Sequence, residues 1–447
     1  MSENIREIVL DILMEHESTG RKSHLLIRDV LDKYDYLDVK DKSFIKRVAE
    51  GTILNRITLD YVADRFMNKP VSKLKAPIRG ILRESVYQLL FMDKVPDNAV
   101  CDEAVKLAKK RSFKEFAPFV NGVLRNIARE KENILSFAEI TDKVKYLSVK
   151  YSCPEEIVRI FMKEQEDAES LLKAINTVKS TSVRITDPSK EKEILLKWQE
   201  KGIKYSEIKG LAHVYSAEDF EGAYALPGFA EGDIIIQDKA SMLASMAAGV
   251  KEGDGKTVLD VCAAPGGKSC FIAKTMGNGH VISRDLTEYK VNLIRENAER
   301  LHLDNLKSEV YDATVYDESL ENSVDVLICD LPCSGLGVMG RKSDIRYNIT
   351  NEGMKEICDL QKCILNTVTK YLKPGGVLIY STCTIHKAEN EKVVKYILNN
   401  LPFDGDSLKP YIPVCFEKER ESDFYVQLLP DKDDCDGFFI SRFIKHE

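Results

Sequence analysis

The sequence predicts a multidomain chain with an all-α N-terminal domain over residues 1–140, a small α+β module over 141–235, and a doubly wound α/β domain over 236–447. Three observations predict this. Apolar residues recur at helical spacing through the first 140 positions, with no alternating stretch between them. After Gln237, strand-like apolar runs alternate with helical stretches, as in a parallel sheet with crossover helices. Between the two, short β-like runs are separated by polar turns.

Length and composition narrow the class. A chain of 447 residues with 44% hydrophobic and 31% charged residues has room for several ordinary cores. No segment approaches the roughly 20 uninterrupted apolar residues of a membrane span. Residues 1–7 carry both charge signs and no apolar signal core, so a cytoplasmic protein is expected. The eleven cysteines are an odd number and form no C-x-x-C pair, which favours free thiols over a disulfide framework or a metal site. The net charge of −7 is uneven: residues 1–140 hold 25 Lys+Arg against 22 Asp+Glu, a net of +3, leaving −10 for the rest. A basic N-terminal third is compatible with local RNA contact, although the whole-chain charge is not.

In the N-terminal domain Ile5, Ile8, Val9, Ile12 and Leu13 define an apolar helix face. Similar stripes recur over 44–59, 78–92 and 99–108, with Pro77 and Pro96 at helix boundaries. Lys106, Lys109, Lys110, Arg111 and Lys114 form a basic cluster, which reads either as an RNA contact or as a solvated helix face. In the module, helices are expected before 163 and over 168–177, then β runs at 182–185, 213–215 and 234–236. Trp198, the only tryptophan, is expected in the core.

The α/β domain begins with a strand over 257–261 that runs into Cys262-Ala263-Ala264-Pro265-Gly266-Gly267-Lys268. A glycine turn at the carboxyl end of a first strand lets a ligand approach the backbone. Further strands are expected at 280–283, 307–311, 324–329 and 377–380, the last after a Pro374-Gly375-Gly376 turn, and a hairpin at 424–429 and 438–443. An α/β sheet ending on an antiparallel hairpin is unlike a dinucleotide-binding dehydrogenase.

The candidate chemistry lies at the strand ends. Asp285, 18 residues beyond Gly267, follows the second strand, where a carboxylate can accept hydrogen bonds from both ribose hydroxyls. Asp312, after the third, sits where an adenine ring would lie. Singly, each reads equally as a turn residue; with the glycine loop they form a nucleoside pocket. The loop lacks the G-x-G-x-x-G pattern that cradles a pyrophosphate, so the ligand is a nucleoside without phosphates, and S-adenosylmethionine fits. Asp330-Leu331-Pro332-Cys333 closes the fourth strand where an amino-methyltransferase would carry an aromatic clamp, and Cys383 closes the fifth. Two thiols beside a methyl donor suit the inertness of a pyrimidine C5 carbon, which accepts a methyl group only after a thiolate adds at C6. Asp330 is placed to hydrogen-bond N3 and the exocyclic amine. His386 is read as a strand-end polar residue rather than a base, and Asn390 and Glu391 as helix caps.

Two resemblances follow from these residues. The runs D-N-A-V-C-D-E-A-V-K-L-A-K-K (97–110) and F-V-N-G-V-L-R-N-I (119–127) resemble the RNA-binding antitermination factor NusB. The motifs D-V-C-A-A-P-G-G-K-S, S-R-D-L, D-A-T, D-L-P-C-S-G and Y-S-T-C-T, in this order, resemble the RNA cytosine-C5 methyltransferases of the Sun/NOL1/NOP2 family. Joined to a NusB-like domain they resemble its bacterial 16S rRNA members. The resemblance implies a Rossmann-like class I methyltransferase domain using S-adenosylmethionine, with 16S ribosomal RNA as partner and neither membrane nor metal; a monomer is expected. It assigns Cys383 as nucleophile and Cys333 as the thiol that assists product release. The cofactor site maps to Cys262, Ala263, Ala264, Pro265, Gly266, Gly267, Lys268, Asp285, Asp312 and Asp330. The same chemistry on tRNA and a non-catalytic NusB-like RNA-binding factor are the alternatives. Leu331, Ser343, Lys387 and the V-R-I-T strand around Arg184 depart from the family pattern without touching thiols or loop.

Overall fold

The computed structural model describes residues 4–177, 180–220, 222–413, 416 and 422–447. The chain forms two compact units, Met1–Asn176 with Met339–Ile349, and Thr177–Val338 with Thr350–Glu447.

The first unit is helical. Its core gathers Ile8, Val9 and Ile12 of helix Ile5–Thr19, Ile45 and Val48 of Val39–Leu54, Ile81 and Val86 of Ala76–Phe91, and Leu124 and Ile127 of Ala117–Ile134. The predicted stripes are the faces buried here. The stretch 141–235 falls on both sides of the division. Helix Lys143–Tyr151 belongs with the helical unit, where Val149 joins the core and its carbonyl accepts the buried Thr58 hydroxyl. The basic cluster is largely neutralised: Lys106 pairs with Glu103, Lys110 with Glu7, and Arg111 with Asp11 and Glu7.

The second unit opens with an antiparallel sheet of β1 (Thr181–Ile185), β2 (Lys204–Glu207), β3 (Val214–Glu218) and β4 (Ile234–Ile236), in the order β2-β3-β1-β4. Val183, Ile185 and Ile234 pack around Trp198, which is fully buried and donates its indole N–H to Pro227 O at 3.0 Å. The short, polar β2 escaped the sequence reading because all four of its residues are exposed.

Beyond it lies the large sheet, β5 (Thr257–Asp260), β6 (His280–Asp285), β7 (Leu306–Val310), β8 (Val324–Asp330), β9 (Leu372–Thr382), β10 (Phe403–Gly405), β11 (Tyr425–Leu428) and β12 (Phe438–Lys445). The order is β10-β12-β9-β8-β5-β6-β7, with β11 also on β12. Strands β5 to β9 are parallel, and β12 is antiparallel to β9. Side chains alternate between two covered faces, which makes the central β8 and the second half of β9 nearly continuous apolar runs, whereas the edge strand β7 is mostly polar. Val258, Val326, Ile328 and Ile379 face helices Lys239–Met246 and Gly267–Met276. Leu259, Leu327, Leu378 and Tyr380 face helices Asn351–Val368 and Glu391–Asn400.

Two expectations are corrected. The Pro374-Gly375-Gly376 turn lies inside β9, because a register shift against β8 between Val324 and Val326 absorbs it. The last two strands are joined by a helical turn, Pro430–Asp433, rather than by a polar loop alone.

Candidate active site

Because β5 lies between β6 and β8, the chain reverses direction across the sheet at β5, and the crevice beyond its carboxyl end is where α/β folds bind ligands. The loop from Cys262 to Lys268 occupies this place. Ala263 N–H donates to Arg284 O, Ala264 N–H to Asp285 Oδ2 at 3.0 Å, and Gly266 N–H to Ala263 O. Gly266 has φ +100°, where any side chain would be strained, and a Cβ there would press against Ile294. Helix Gly267–Met276 starts directly from it, and Pro265 is exposed at the loop tip.

Asp285, at the end of β6, is 3% exposed. Its carboxylate also takes the Leu286 N–H and the Lys290 ammonium on Oδ1, each at 2.8 Å. Asp312, two residues past β7, is exposed and closes a local turn, accepting Thr314 N–H and Oγ1–H on one oxygen. Those bonds hold it below the usual carboxylate range. Asp260, absent from the sequence-based set, lies buried behind the loop and accepts Ser269 Oγ–H at 2.7 Å. Burial pushes it up to about 7, against the lowering effects of Ser269 and Lys268. Burial likewise raises the Cys262 thiol, helped by the carboxylates of Asp260 and Asp285.

The second half of the site hangs on β8 and β9, where Asp330 stands opposite Ser381 in register. Leu331 N–H continues the ladder to Ser381 O, and the chain then folds back through Pro332 and Cys333. This turn is pinned on both sides of Cys333. Pro332 O accepts the Gln361 amide at 2.9 Å, Ser334 N–H donates to Glu389 Oε2 at 2.7 Å, and the Ser334 and Thr384 hydroxyls are 2.7 Å apart. Gly337 N–H donates to Cys383 O, and a Cβ at Gly337 would fall 1.9 Å from Gly437 O. The two sulfurs, Cys333 Sγ and Cys383 Sγ, end 3.2 Å apart, both half-buried.

Asp330 joins the halves. Its Oδ2 accepts Lys268 Nζ at 2.6 Å and its Oδ1 accepts Ser381 Oγ–H at 2.8 Å. Burial alone would lower Lys268, but the Asp330 carboxylate outweighs it and holds the ammonium above its ordinary value. The Cys333 thiol is raised well above its ordinary value, first by its hydrogen bond to Cys383, then by burial, then by the charges of Cys383, Glu389 and Asp330.

A nucleoside carrying a sulfonium fits this donor set. Lys268, the one cation of the loop, is committed to Asp330 and does not point a free charge at a phosphate, while Asp285 and Asp330 line the strand ends with carboxylates. Among the described residues no group of three or more His, Cys, Asp or Glu is arranged to hold a metal ion, and no helix is long and apolar enough to cross a membrane.

The capping role expected of Asn390 is corrected. Its side chain does not cap helix Glu391–Asn400 but reaches across the site, accepting Thr382 Oγ–H at 2.6 Å and donating to Thr384 O and Gln427 Oε1. Sequence reasoning missed Glu389 altogether. A glutamate three residues past a strand-end histidine carries no local signal, and only the folded register brings it to Ser334.

A family model described as 16S rRNA methyltransferase RsmB/F matches residues 247–444, and the NusB family model matches 3–129. The probable ribosomal RNA small subunit methyltransferase B of Bacillus subtilis is 37% identical over 450 residues, covering 99% of both chains. Its Synechocystis counterpart is 28% identical over 458 residues, covering 96% of this chain and 99% of the relative. Among solved structures, a methyltransferase homolog from Pyrococcus horikoshii shares the fold, with a TM-score of 0.58 at 24% identity over 68% of this chain and all of that one. A chain that carries both modules along the full length of such relatives, with the loop, the acidic strand ends and the paired thiols in place, belongs to the 16S rRNA methyltransferase RsmB/F family.

Proposed function

We propose that this chain transfers a methyl group from S-adenosylmethionine to C5 of a cytosine in 16S ribosomal RNA, through a covalent bond between Cys383 and C6 of the base. The observation that carries the reading is the thiol pair, 3.2 Å apart, set beside the Lys268–Asp330 ion pair at the mouth of the glycine loop. The cofactor, when bound, supplies an electrophilic methyl group; the loop Cys262–Lys268, Asp285 and Asp312 would hold its adenosine, and Asp330 would face both donor and base.

Each residue then has a task. The Cys383 sulfur adds to C6, and the C5=C6 electron pair moves into the ring, making C5 nucleophilic. Asp330, fixed on both sides by Lys268 and Ser381, would accept from the exocyclic amine of the base, and from N3 once the charge entering the ring draws a proton there. Once C5 carries the methyl group its proton passes to water, the C5–H electron pair reforms C5=C6, and the C6–S bond breaks with its electron pair going to the Cys383 sulfur, which takes the Cys333 S–H proton. Cys333 is the neighbouring proton carrier for that departure. The target base has to leave its stack to reach a pocket at the strand ends. The relatives' names support ribosomal RNA as the substrate.

The test is incubation of unmodified 16S rRNA with the protein and methyl-labelled cofactor, followed by mapping of the labelled nucleotide. A single 5-methylcytosine is the expected product. Label on adenine or guanine, or on an exocyclic nitrogen, overturns the proposal.

A further inference from the structure

Two thiols in mutual contact share one proton once either has ionised, and nothing in the thiols themselves says which sulfur keeps the charge. The surroundings do. Around the pair the structure sets Lys268 and Asp330 from the loop and β8, Tyr380 at the end of β9, Cys358 on helix Asn351–Val368, and Glu389 before helix Glu391–Asn400. His386 and Lys387 follow the nucleophile's own strand.

We infer that Glu389 is a positioning residue that sorts the two thiols, holding the Cys333 turn through the Ser334 amide and setting a carboxylate on the Cys333 side, so that Cys383 is the sulfur that attacks. Glu389 is 0% exposed, where glutamate is rare unless its carboxyl group is bonded. Its Oε2 takes the N–H of the residue directly after Cys333 at 2.7 Å. Its backbone is tied as firmly: its N–H donates to His386 O, and its carbonyl accepts the Tyr380 hydroxyl. The side chain therefore cannot swing away, and its charge acts on Cys333. On the other side of the pair, the Lys268 ammonium is held at 2.6 Å by Asp330, which stands in register with Ser381, two residues before Cys383. A carboxyl group bound to the residue after Cys333, and an ammonium held at the end of the strands that carry Cys383, favour one direction of the S–H···S contact. The proton stays on Cys333, where it is needed after methyl transfer, and the charge resides on Cys383, where it is needed first.

The inference rests on the proposed thiol chemistry but is testable without it, because alkylation needs neither RNA nor cofactor. The intact protein is treated with limiting iodoacetamide across pH 6 to 9, and carbamidomethylation at Cys333 and Cys383 is read separately by peptide mass spectrometry. In the native protein Cys383 is expected to react about tenfold faster than Cys333, the ratio of thiolate fractions that one unit of difference confers. Glu389→Gln keeps an acceptor for Ser334 N–H and removes the charge; the ratio is expected to fall to within about threefold, with reaction at Cys333 beginning at lower pH. Glu389→Asp, which retains the charge, is expected to stay nearer the native ratio. In steady-state methyl transfer Glu389→Gln should lower kcat with little change in KM for RNA. Equal alkylation of the two native thiols overturns the inference, as does a native ratio in Glu389→Gln. Both hold even if transfer to cytosine is never observed. Conversely, a transfer-active Cys383→Ala variant overturns the function and leaves the alkylation result standing.

Discussion

Cys333 and Cys383 are the same group twice, and what distinguishes them is the chain that presents each. Cys383 comes directly off the end of β9, whereas Cys333 sits in a turn fastened by Gln361, Glu389 and Thr384. With Cys383 as nucleophile, Cys383→Ala abolishes methyl transfer and forms no covalent complex. Cys333→Ala leaves addition intact and slows release, so a protein–RNA adduct accumulates and survives denaturing gel electrophoresis. An adduct with Cys383→Ala and none with Cys333→Ala would reverse the roles. Asp260 gives a second prediction, about stability and pH. Its folded value of about 7 stands above the ordinary 3.8, so the folded state holds a proton that the unfolded chain has lost between those values. Stability from this group is therefore full below about pH 4 and declines as pH rises to 7, by up to ~4 kcal/mol. Asp260→Asn keeps an acceptor for Ser269 and removes the titration. Relative to the native protein it is expected to gain stability between pH 5 and pH 8, read by denaturant unfolding at each pH; a difference independent of pH refutes the assignment.

At the scale of elements, the parallel strands were legible because most contain a short apolar run ended by a motif, and the motifs themselves mark the carboxyl edge of the sheet. Loop, Asp285, Asp330 and both thiols were placed at that edge in this way, and they lie there in the folded chain. What stayed hidden depends on register. Glu389 and Asn390 reach the site only because helix Glu391–Asn400 starts beside the end of β9, and the polar edge strands β2 and β10 carry no alternation to read. The contact between the Cys333 turn and the approach to β12 is another such feature. Gly337 N–H fixes Cys383 O while Gly437 N–H fixes Gly337 O, and neither backbone leaves space for a side chain. Gly337→Ala has to push Gly437 away, and is expected to cost about 1–3 kcal/mol and to depress kcat by separating the two sulfur-bearing segments. Gly122→Ala is the control: it lies within helix Ala117–Ile134 with nothing within 4 Å of a Cβ, and should be neutral or stabilise by up to ~1 kcal/mol. Equal losses from both would show that the close approach at Gly337 is unimportant.

At the scale of the whole molecule, the division into two units does not follow the order of the sequence. The chain leaves the second unit at Val338, contributes Met339–Ile349 to the helical unit, and returns at Thr350. Arg346, 1% exposed, is what seats that segment: its guanidinium donates to Tyr151 O, Ser152 O, Met339 O and Asn176 Oδ1. Tyr347 beside it stacks under Arg56 at 3.9 Å and donates its hydroxyl to Leu54 O. A buried guanidinium that satisfies several carbonyls leaves them orphaned when removed, at a cost of at least about 3 kcal/mol. With separate hydrophobic cores in the two units, thermal unfolding is expected to be multistate rather than a single cooperative step. Arg346→Met should then lower the transition of the helical unit and leave that of the methyltransferase unit nearly in place, although residue 346 lies far from the N-terminal helices in sequence. Differential scanning calorimetry of the native and substituted chains distinguishes the cases. A single transition that moves as a whole would mean that the two cores melt as one, and that the 339–349 segment stabilises the entire chain rather than the helical unit alone.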